Sequence, residues 1–160
     1  MTVSVNAQTV YPACWPRCGA RSRRATSARH GGLRWAGSGI FIRSRPGLWT
    51  DDHNIFVYHQ AKRPGWPLLC HFGVEVTRTF EATGEVQPTE TPGGEAAVAV
   101  HRGSYDRTHE AYNAIDEWMA ANGRESAGHS WEIYGDPTPD PADTETTVVH
   151  LLKERPRTGH

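Results

Sequence analysis

The pattern that most constrains the fold of this chain spans residues 101–137. It begins with His-Arg-Gly-Ser-Tyr-Asp, which predicts a strand end, a turn at Gly103 and a helix start capped by Ser104 or Asp106. Large side chains then recur at three- and four-residue steps and so share one helix face: Tyr112, Ile115, Trp118, Met119 and Asn122. Gly123 stands where a left-handed residue ends a helix. The sequence therefore predicts an amphipathic helix that ends at Asn122, with Tyr112 and Trp118 in its buried face.

The strand predicted to follow, residues 130–134, carries one carboxylate between aromatic residues. Its alternation puts Trp131 and Ile133 on one face and Glu132 with Tyr134 on the other. If Trp131 and Ile133 pack on the helix, Glu132 points away from it, where a carboxylate needs water, a partner or a ligand. A carboxylate beside aromatic rings attracts a cationic or polarised organic molecule. A solvated Glu on an open sheet face fits the same pattern.

Further strands are predicted on both sides of this unit. Alternation or short apolar runs indicate strands at residues 53–59, 68–76, 96–101 and 146–152. Gly73 interrupts the second of them, as a bulge would. Residues 80–95 are rich in Gly and Pro and predict a loop that contains at most a short extended piece.

Composition excludes several classes of protein. A chain of 160 residues suits one domain with its own core. No apolar stretch reaches the length of a membrane span, and the first ten residues lack the pattern of a signal peptide. Three cysteines, an odd number, favour a reducing cytoplasm over a disulfide framework. The net charge of −1 gives no general attraction to nucleic acid or membrane. We expect a cytoplasmic protein without membrane contact.

Familiar catalytic and cofactor motifs are missing from the sequence. It contains neither a dinucleotide or phosphate-binding glycine loop nor a Gly-x-Ser-x-Gly hydrolase elbow. Residues 109–113 resemble the start of a zinc-protease helix, but Asn113 stands where the second His is required. We interpret the nine histidines as scattered and predict no metal and no cofactor. Cys70 is interpreted as a packed thiol because it lies in an apolar run, and the neighbouring His71 should point to the other face of the strand.

Four segments together resemble the GyrI-like small-molecule-binding domain, the effector-binding domain of some bacterial transcription activators: residues 101–106, 118–123, 131–135 and 147–152. The resemblance covers residues 50 to 152. It implies an α+β fold of two strand–helix–strand–strand modules related by a pseudo-twofold, with helices on one side of antiparallel sheets and a central ligand cleft. It also implies a single domain over residues 1–152, with a flexible tail at 153–160.

The resemblance implies binding of a hydrophobic, cationic or polarised small molecule rather than catalysis. Glu132 matches the acidic residue with which family members contact lipophilic cations. Beside it we expect four ligand-binding residues: Tyr134, Tyr105, Tyr58 and Trp131. Such a stand-alone domain sequesters a drug or toxin, or acts on a protein partner such as gyrase or a regulator. Nucleic-acid binding is not expected without a separate DNA-binding domain.

A hydrolase is the alternative. Some members of the superfamily open strained electrophiles with the equivalent carboxylate. Here Glu132 would be the general base for water, and the hydroxyl of Tyr134 would be the acid. Both hypotheses predict that Glu132→Gln abolishes activity, and only the alternative predicts product.

Residues 13–40 depart from the family pattern, which has its first-module helix here. Residues 1–50 contain eight arginines and no Asp or Glu, whereas all eighteen acidic residues follow. Five glycines would interrupt any long helix in this segment. Three explanations stay open: a local frameshift in the gene or its sequencing record, plain disorder, and a basic arm that binds nucleic acid. The coding DNA tests the frameshift hypothesis, which requires an alternative frame that encodes an amphipathic helix.

Overall fold

The computed structural model describes residues 3–12, 14–22, 41, 43–48, 53–59, 68–84, 86–136 and 138–156. The elements with described bounds are, in chain order, β1 Val5–Val10, β2 Cys14–Ser22, β3 Asn54–His59, β4 Leu68–Val74, β5 Val86–Glu90, β6 Gly94–Arg102, α1 His109–Ala121, β7 Ser126–Tyr134 and β8 Glu145–Leu152. Short 3-10 turns lie at Tyr105–Arg107 and Pro141–Asp143. No helix within the described ranges is long and apolar enough to cross a membrane.

The described strands form one antiparallel sheet in the order β1-β6-β8-β7-β3-β4-β2-β5. The order is symmetric about its centre: β6, α1, β7 and β8 form one module, and β2, β3 and β4 are the strands of the other. The modules meet where β7 pairs with β3 and Glu132 lies opposite Phe56. Tyr134 and Tyr58 each lie two residues beyond that pair, so the pseudo-twofold passes through it. The predicted α+β fold is confirmed; residues 23–40, within the segment where the first-module helix was expected, lie outside the described residues.

The outer strands are exchanged between the modules. β1 precedes the first module in the chain but pairs with β6 of the second, with Val5 opposite Ala99. β5 precedes the second module but pairs with β2 of the first, with Val86 opposite Cys18. The outer strand of each module therefore comes from the chain segment that precedes the other module in the sequence.

Two buried clusters lie on opposite faces of the sheet, and one of them extends from the second module onto β3. On one face α1 packs on β6, with β1 and β8 beside it. Its buried members are Ala97, Ala99, Ala111, Ile115, Met119, Val148 and Leu152. The buried members of the other face are Ile55, Val57, Ala96, Val98, Trp131 and Val149. Burial of apolar area stabilises the fold by roughly 25 cal/mol per Å² in these clusters and in a third one that includes Phe41, Leu48 and Val86.

The helix lies on the other face of β7 from the one the sequence suggested. Trp131 and Ile133 pack in the cluster that lies away from α1. Glu132 is buried on the helix side, where the hydroxyl of Tyr112 from α1 reaches it. Trp131 and Ile133 do not pack on the helix, so the condition under which Glu132 would point away from it is not met, and Glu132 is not on an open sheet surface. Alternation assigned the two faces correctly, but it cannot say which of two apolar faces a helix covers.

The two ends of α1 differ in how well they were predicted. The helix begins at His109 after a 3-10 turn, and its N-cap residue Thr108 makes no side-chain capping bond. Ser104 instead donates its hydroxyl to the Asp106 carboxylate, so neither residue caps α1 as expected. Gly123 adopts φ +59° just beyond the helix, which confirms the predicted stop.

Two strands, β1 and β2, were not predicted, and β5 was expected only as a short extended piece within a loop. β1 is exposed over most of its length, so it lacks the apolar alternation that marks a half-buried strand. β2 lies in the arginine-rich segment, and β5 contains Pro88. Their strand structure comes from pairing with distant neighbours, which local patterns do not report.

Candidate functional site

Glu132 lies at the centre of the sheet, on the pair that joins the two modules. Strands β8 and β3 flank it, with Val148 opposite on one side and Phe56 on the other. Its residue surface is only 7% exposed. A carboxylate with so little access to water needs donors from the protein.

Three tyrosine hydroxyls supply those donors. Tyr112 of α1 donates to Oε1 of Glu132 at 2.8 Å. Tyr134, two residues further along β7, donates to Oε2. Tyr58 of β3 lies 3.4 Å from the same oxygen, at the long end of hydrogen-bond distance. The network joins both modules and the helix to one carboxylate, and we call these four residues the Glu–Tyr cluster.

Aromatic rings extend the Glu–Tyr cluster across β3 and β4. The ring of Phe56 lies 4.9 Å from that of Tyr134 and 4.7 Å, edge to face, from that of Phe72. Tyr105, from the turn before α1, places its ring 5.3 Å from Tyr134 and is 53% exposed. The negative faces of such rings attract cations, each by about 0.5–2 kcal/mol. A single buried charge thus lies among aromatic rings that reach the protein surface.

The tyrosine hydroxyls and the thiol around Glu132 stay protonated at neutral pH, because burial and the charge of Glu132 raise their pKa values. Burial, followed by the negative charge of Glu132, raises the pKa of Tyr58, Tyr112 and Tyr134 above the ordinary tyrosine value. The same two causes raise the pKa of the Cys70 thiol to about 11. Cys70 is a buried, protonated thiol directly opposite Tyr58. Because the thiolate is the nucleophile, Cys70 is inert at neutral pH, and His71 lies on the other face as predicted.

The structure brings together four of the five residues predicted to bind the ligand. Glu132, Tyr134 and Tyr58 share hydrogen bonds, and Tyr105 joins them through its ring contact with Tyr134. It does not bring Trp131 to them, because that ring lies in the core on the opposite face, 3% exposed.

Sequence reasoning left Tyr112 out of the site. We interpreted it as part of the buried helix face, and it does pack beside that cluster, but its hydroxyl also binds Glu132. A signal was present, because a buried tyrosine hydroxyl usually has a hydrogen-bond partner. Phe56 and Phe72 were likewise read only as strand residues, although they extend the aromatic surface.

His150 lies beside the Glu–Tyr cluster without a hydrogen-bond partner among the described residues. Its ring lies 5.3 Å from that of Tyr112, and neither ring nitrogen has a donor or acceptor within reach in the described part of the chain. Its cross-strand neighbours are Ala97 and Ser130. Burial lowers the pKa of His150 below the ordinary 6.5, and the charge of Asp116 on α1 offsets only part of that effect.

The lowered pKa predicts a loss of stability in mild acid. The unfolded chain binds a proton at His150 near pH 6.5, whereas the folded protein resists it. Stability from this residue is therefore complete above pH 6.5 and falls as the pH drops toward the folded pKa. We expect His150→Leu to flatten the fall in free energy of unfolding between pH 7 and 5, as measured by urea denaturation. The control is His109→Gln at an exposed histidine; an unchanged slope in His150→Leu would contradict the assignment.

Three histidines lie together rather than scattered, which corrects our interpretation. His59 Nδ1 lies 2.9 Å from His129 Nδ1, and His59 Nε2 lies 3.0 Å from His71 Nδ1. They come from β3, β7 and β4, on the face opposite Glu132. His59 presents different nitrogens to its two neighbours, so the three rings do not converge on one point. Among the described residues, no group of three or more His, Cys, Asp or Glu side chains is arranged to hold a metal ion.

Comparison with known proteins gives a family and a set of similar folds. The family described as the GyrI-like small molecule binding domain matches residues 47–151. No curated protein matches the chain. In the complex of EcmrR with DNA, EcmrR is similar over 97% of this chain and 59% of its own, with a TM-score of 0.79 and 18% identity. The chain therefore spans about three fifths of EcmrR, and it covers 100% of the separate EcmrR C-terminal domain, with a TM-score of 0.76.

Two further solved structures share the fold. SAV2435, solved bound to tetraphenylphosphonium, has a TM-score of 0.68 and 8% identity, with 94% of each chain covered. A hydrolase encoded by lin2189 from Listeria innocua has a TM-score of 0.62 and 10% identity, over 95% of this chain and 93% of its own. At these identities the likeness shows a common fold.

Proposed function

Because the chain belongs to the GyrI-like small molecule binding domain family, we propose that it binds lipophilic organic cations at the Glu–Tyr cluster. The observation that carries the proposal is a single buried carboxylate, held by three tyrosine hydroxyls and bordered by aromatic rings. The carboxylate supplies charge, and the rings supply apolar and cation–π contacts. SAV2435, which has the same fold, was solved with a ligand of this class.

The surroundings of Glu132 support a positive ligand rather than a negative one. Burial raises the pKa of all three tyrosines, so their hydroxyls stay protonated and donate to the carboxylate at neutral pH. Within the described part of the chain, no Lys or Arg ion pair includes Glu132. A cation bound beside Glu132 gains most of the charge interaction, because the low-dielectric surroundings screen it weakly. The bound molecule would be sequestered or sensed, without a chemical step.

Calorimetric titration with tetraphenylphosphonium tests the proposal. We expect saturable binding of one molecule per chain. Tetraphenylborate is the matched control, since it has nearly the same size and shape and the opposite charge. It should give no saturable heat, because the buried carboxylate repels it. Equal binding of the two ions would show that shape and apolar contact alone are recognised. It would contradict the proposal that the charge of Glu132 contributes to binding.

Hydrolysis of a strained electrophile is a second candidate, favoured by the contact of one carboxylate with phenol hydroxyls. Glu132 would take a proton from a water molecule as the water oxygen attacks a carbon of the strained ring. The hydroxyl of Tyr134 would give a proton to the ring heteroatom whose bond to that carbon breaks. It ranks second because the hydroxyls already occupy both carboxylate oxygens, which leaves little room for a water. Incubation with an aryl epoxide, followed by mass spectrometry, decides it: a diol that forms only with intact Glu132 establishes turnover.

A further inference from the structure

The oxygens of Glu132 are nearly fully used by the protein itself. An ionised carboxylate has about four lone-pair positions. Tyr112 occupies one on Oε1, and Tyr134 and Tyr58 share Oε2. Glu132 is also buried, so the remaining position lies inside the protein. The site therefore has little capacity to accept further hydrogen bonds.

From this arrangement we propose that the site selects cations that carry no N–H groups, such as phosphonium and quaternary ammonium ions, over primary ammonium and guanidinium ions of similar shape. The inference rests on the proposed function and specifies its ligand class. Three tyrosine hydroxyls on one carboxylate leave few acceptors for a ligand N–H group, so the site discriminates against cations that carry such groups.

The physical reason is the cost of unpaired donors. A primary ammonium has three N–H donors that water satisfies in solution. At Glu132 it finds one carboxylate position that no described residue occupies, and the surrounding rings of Phe56, Phe72 and Tyr105 offer no strong acceptor. The phenol oxygens can accept, but they carry only partial charge. Donors left unpaired on binding weaken it, whereas a quaternary ion loses no hydrogen bonds when it leaves water.

A matched pair of ligands tests the inference: (biphenyl-4-yl)methyl-trimethylammonium and (biphenyl-4-yl)methylammonium, titrated by calorimetry. In the unmodified chain we expect the quaternary ion to bind at least about tenfold more tightly, as one or two unpaired donors would produce. Tyr112→Phe frees a second acceptor position on Glu132, at Oε1, and keeps the ring. In this variant we expect the preference to fall by about threefold or more, mainly through tighter binding of the primary ammonium.

Two further variants make the test specific. Tyr58→Phe should reduce the preference less than Tyr112→Phe, because its hydroxyl lies 3.4 Å from Glu132 rather than 2.8 Å. Tyr11→Phe, at a tyrosine that is 80% exposed, should leave it unchanged. A thermal melt of each variant confirms folding before titration.

The outcomes separate this inference from the proposed function. If both ions bind equally and Glu132→Gln weakens both, the cation site stands and the selectivity is wrong. An unchanged preference in Tyr112→Phe also overturns the inference, since the preference then arises from the added methyl groups. If neither ion nor tetraphenylphosphonium binds, the proposed function fails and this inference falls with it.

Discussion

Replacing Glu132 with glutamine should weaken the binding of tetraphenylphosphonium by about a hundredfold. The cause is the loss of one buried negative charge. At a separation of about 5 Å and an effective dielectric near 20, that charge contributes about 3 kcal/mol. The aromatic rings remain, so weak binding through apolar contact and cation–π attraction should persist. Calorimetric titration of the variant beside the unmodified chain gives both dissociation constants directly.

Glutamine is the right replacement because it keeps the size and the hydrogen-bonding ability of the side chain. One amide oxygen still accepts tyrosine hydroxyls, so the free energy of unfolding should change little or rise, since an ionised group is no longer buried. Glu117→Gln, at an exposed position of α1, removes the same charge from the surface and should leave the affinity unaltered. If the two variants weaken binding equally, only the net charge of the protein matters and Glu132 is not the site.

Replacing Trp131 with alanine should lower the free energy of unfolding by about 3–5 kcal/mol, the range typical of a large buried aromatic residue. Trp131 is 3% exposed and packs against Ile55, Val57 and Val149 in the cluster that lies away from α1. Its loss leaves a cavity at the middle of the sheet, which the neighbouring strands can fill only in part. Urea denaturation measures the loss.

The same position distinguishes a structural role from a ligand-binding one. Trp131→Phe should cost less stability and leave enough folded protein for titration. On our assignment its affinity for tetraphenylphosphonium equals that of the unmodified chain, because the ring lies on the opposite face from Glu132. A tenfold loss of affinity in a folded Trp131→Phe variant would show that Trp131 contributes to ligand binding, against our assignment.

The second module could be predicted from the sequence because its signals are local. The three- and four-residue spacing from Tyr112 to Asn122 and the stop at Gly123 report the helix, and alternation reports β7. These patterns depend only on which residues are neighbours along the chain. The residues joined by hydrogen bonds at Glu132 were found in part for the same reason, since Tyr134 lies on the same strand face two residues away.

What could not be predicted depends on partners far away in the sequence. Tyr112 meets Glu132 only because α1 covers the face that carries the carboxylate, and alternation is the same whichever face is covered. The contact between His59 and His129 likewise depends on the register of β3 against β7. β2 has arginine and glycine where a half-buried strand usually has apolar residues, and its pairing with β4 and β5 decides its structure.

Because the modules exchange their outer strands, β1 must wait for a strand of the second module before it can pair. β1 leaves the ribosome long before β6, its pairing partner, since Val5 pairs with Ala99. At synthesis rates of roughly 5–20 residues per second, β1 waits on the order of ten seconds with its backbone hydrogen-bonded only to water. The described strands of the first module, β2 to β5, all precede β6 in the chain, so they can pair before the second module is made. The second module, made last, takes as its outer strand the one made first.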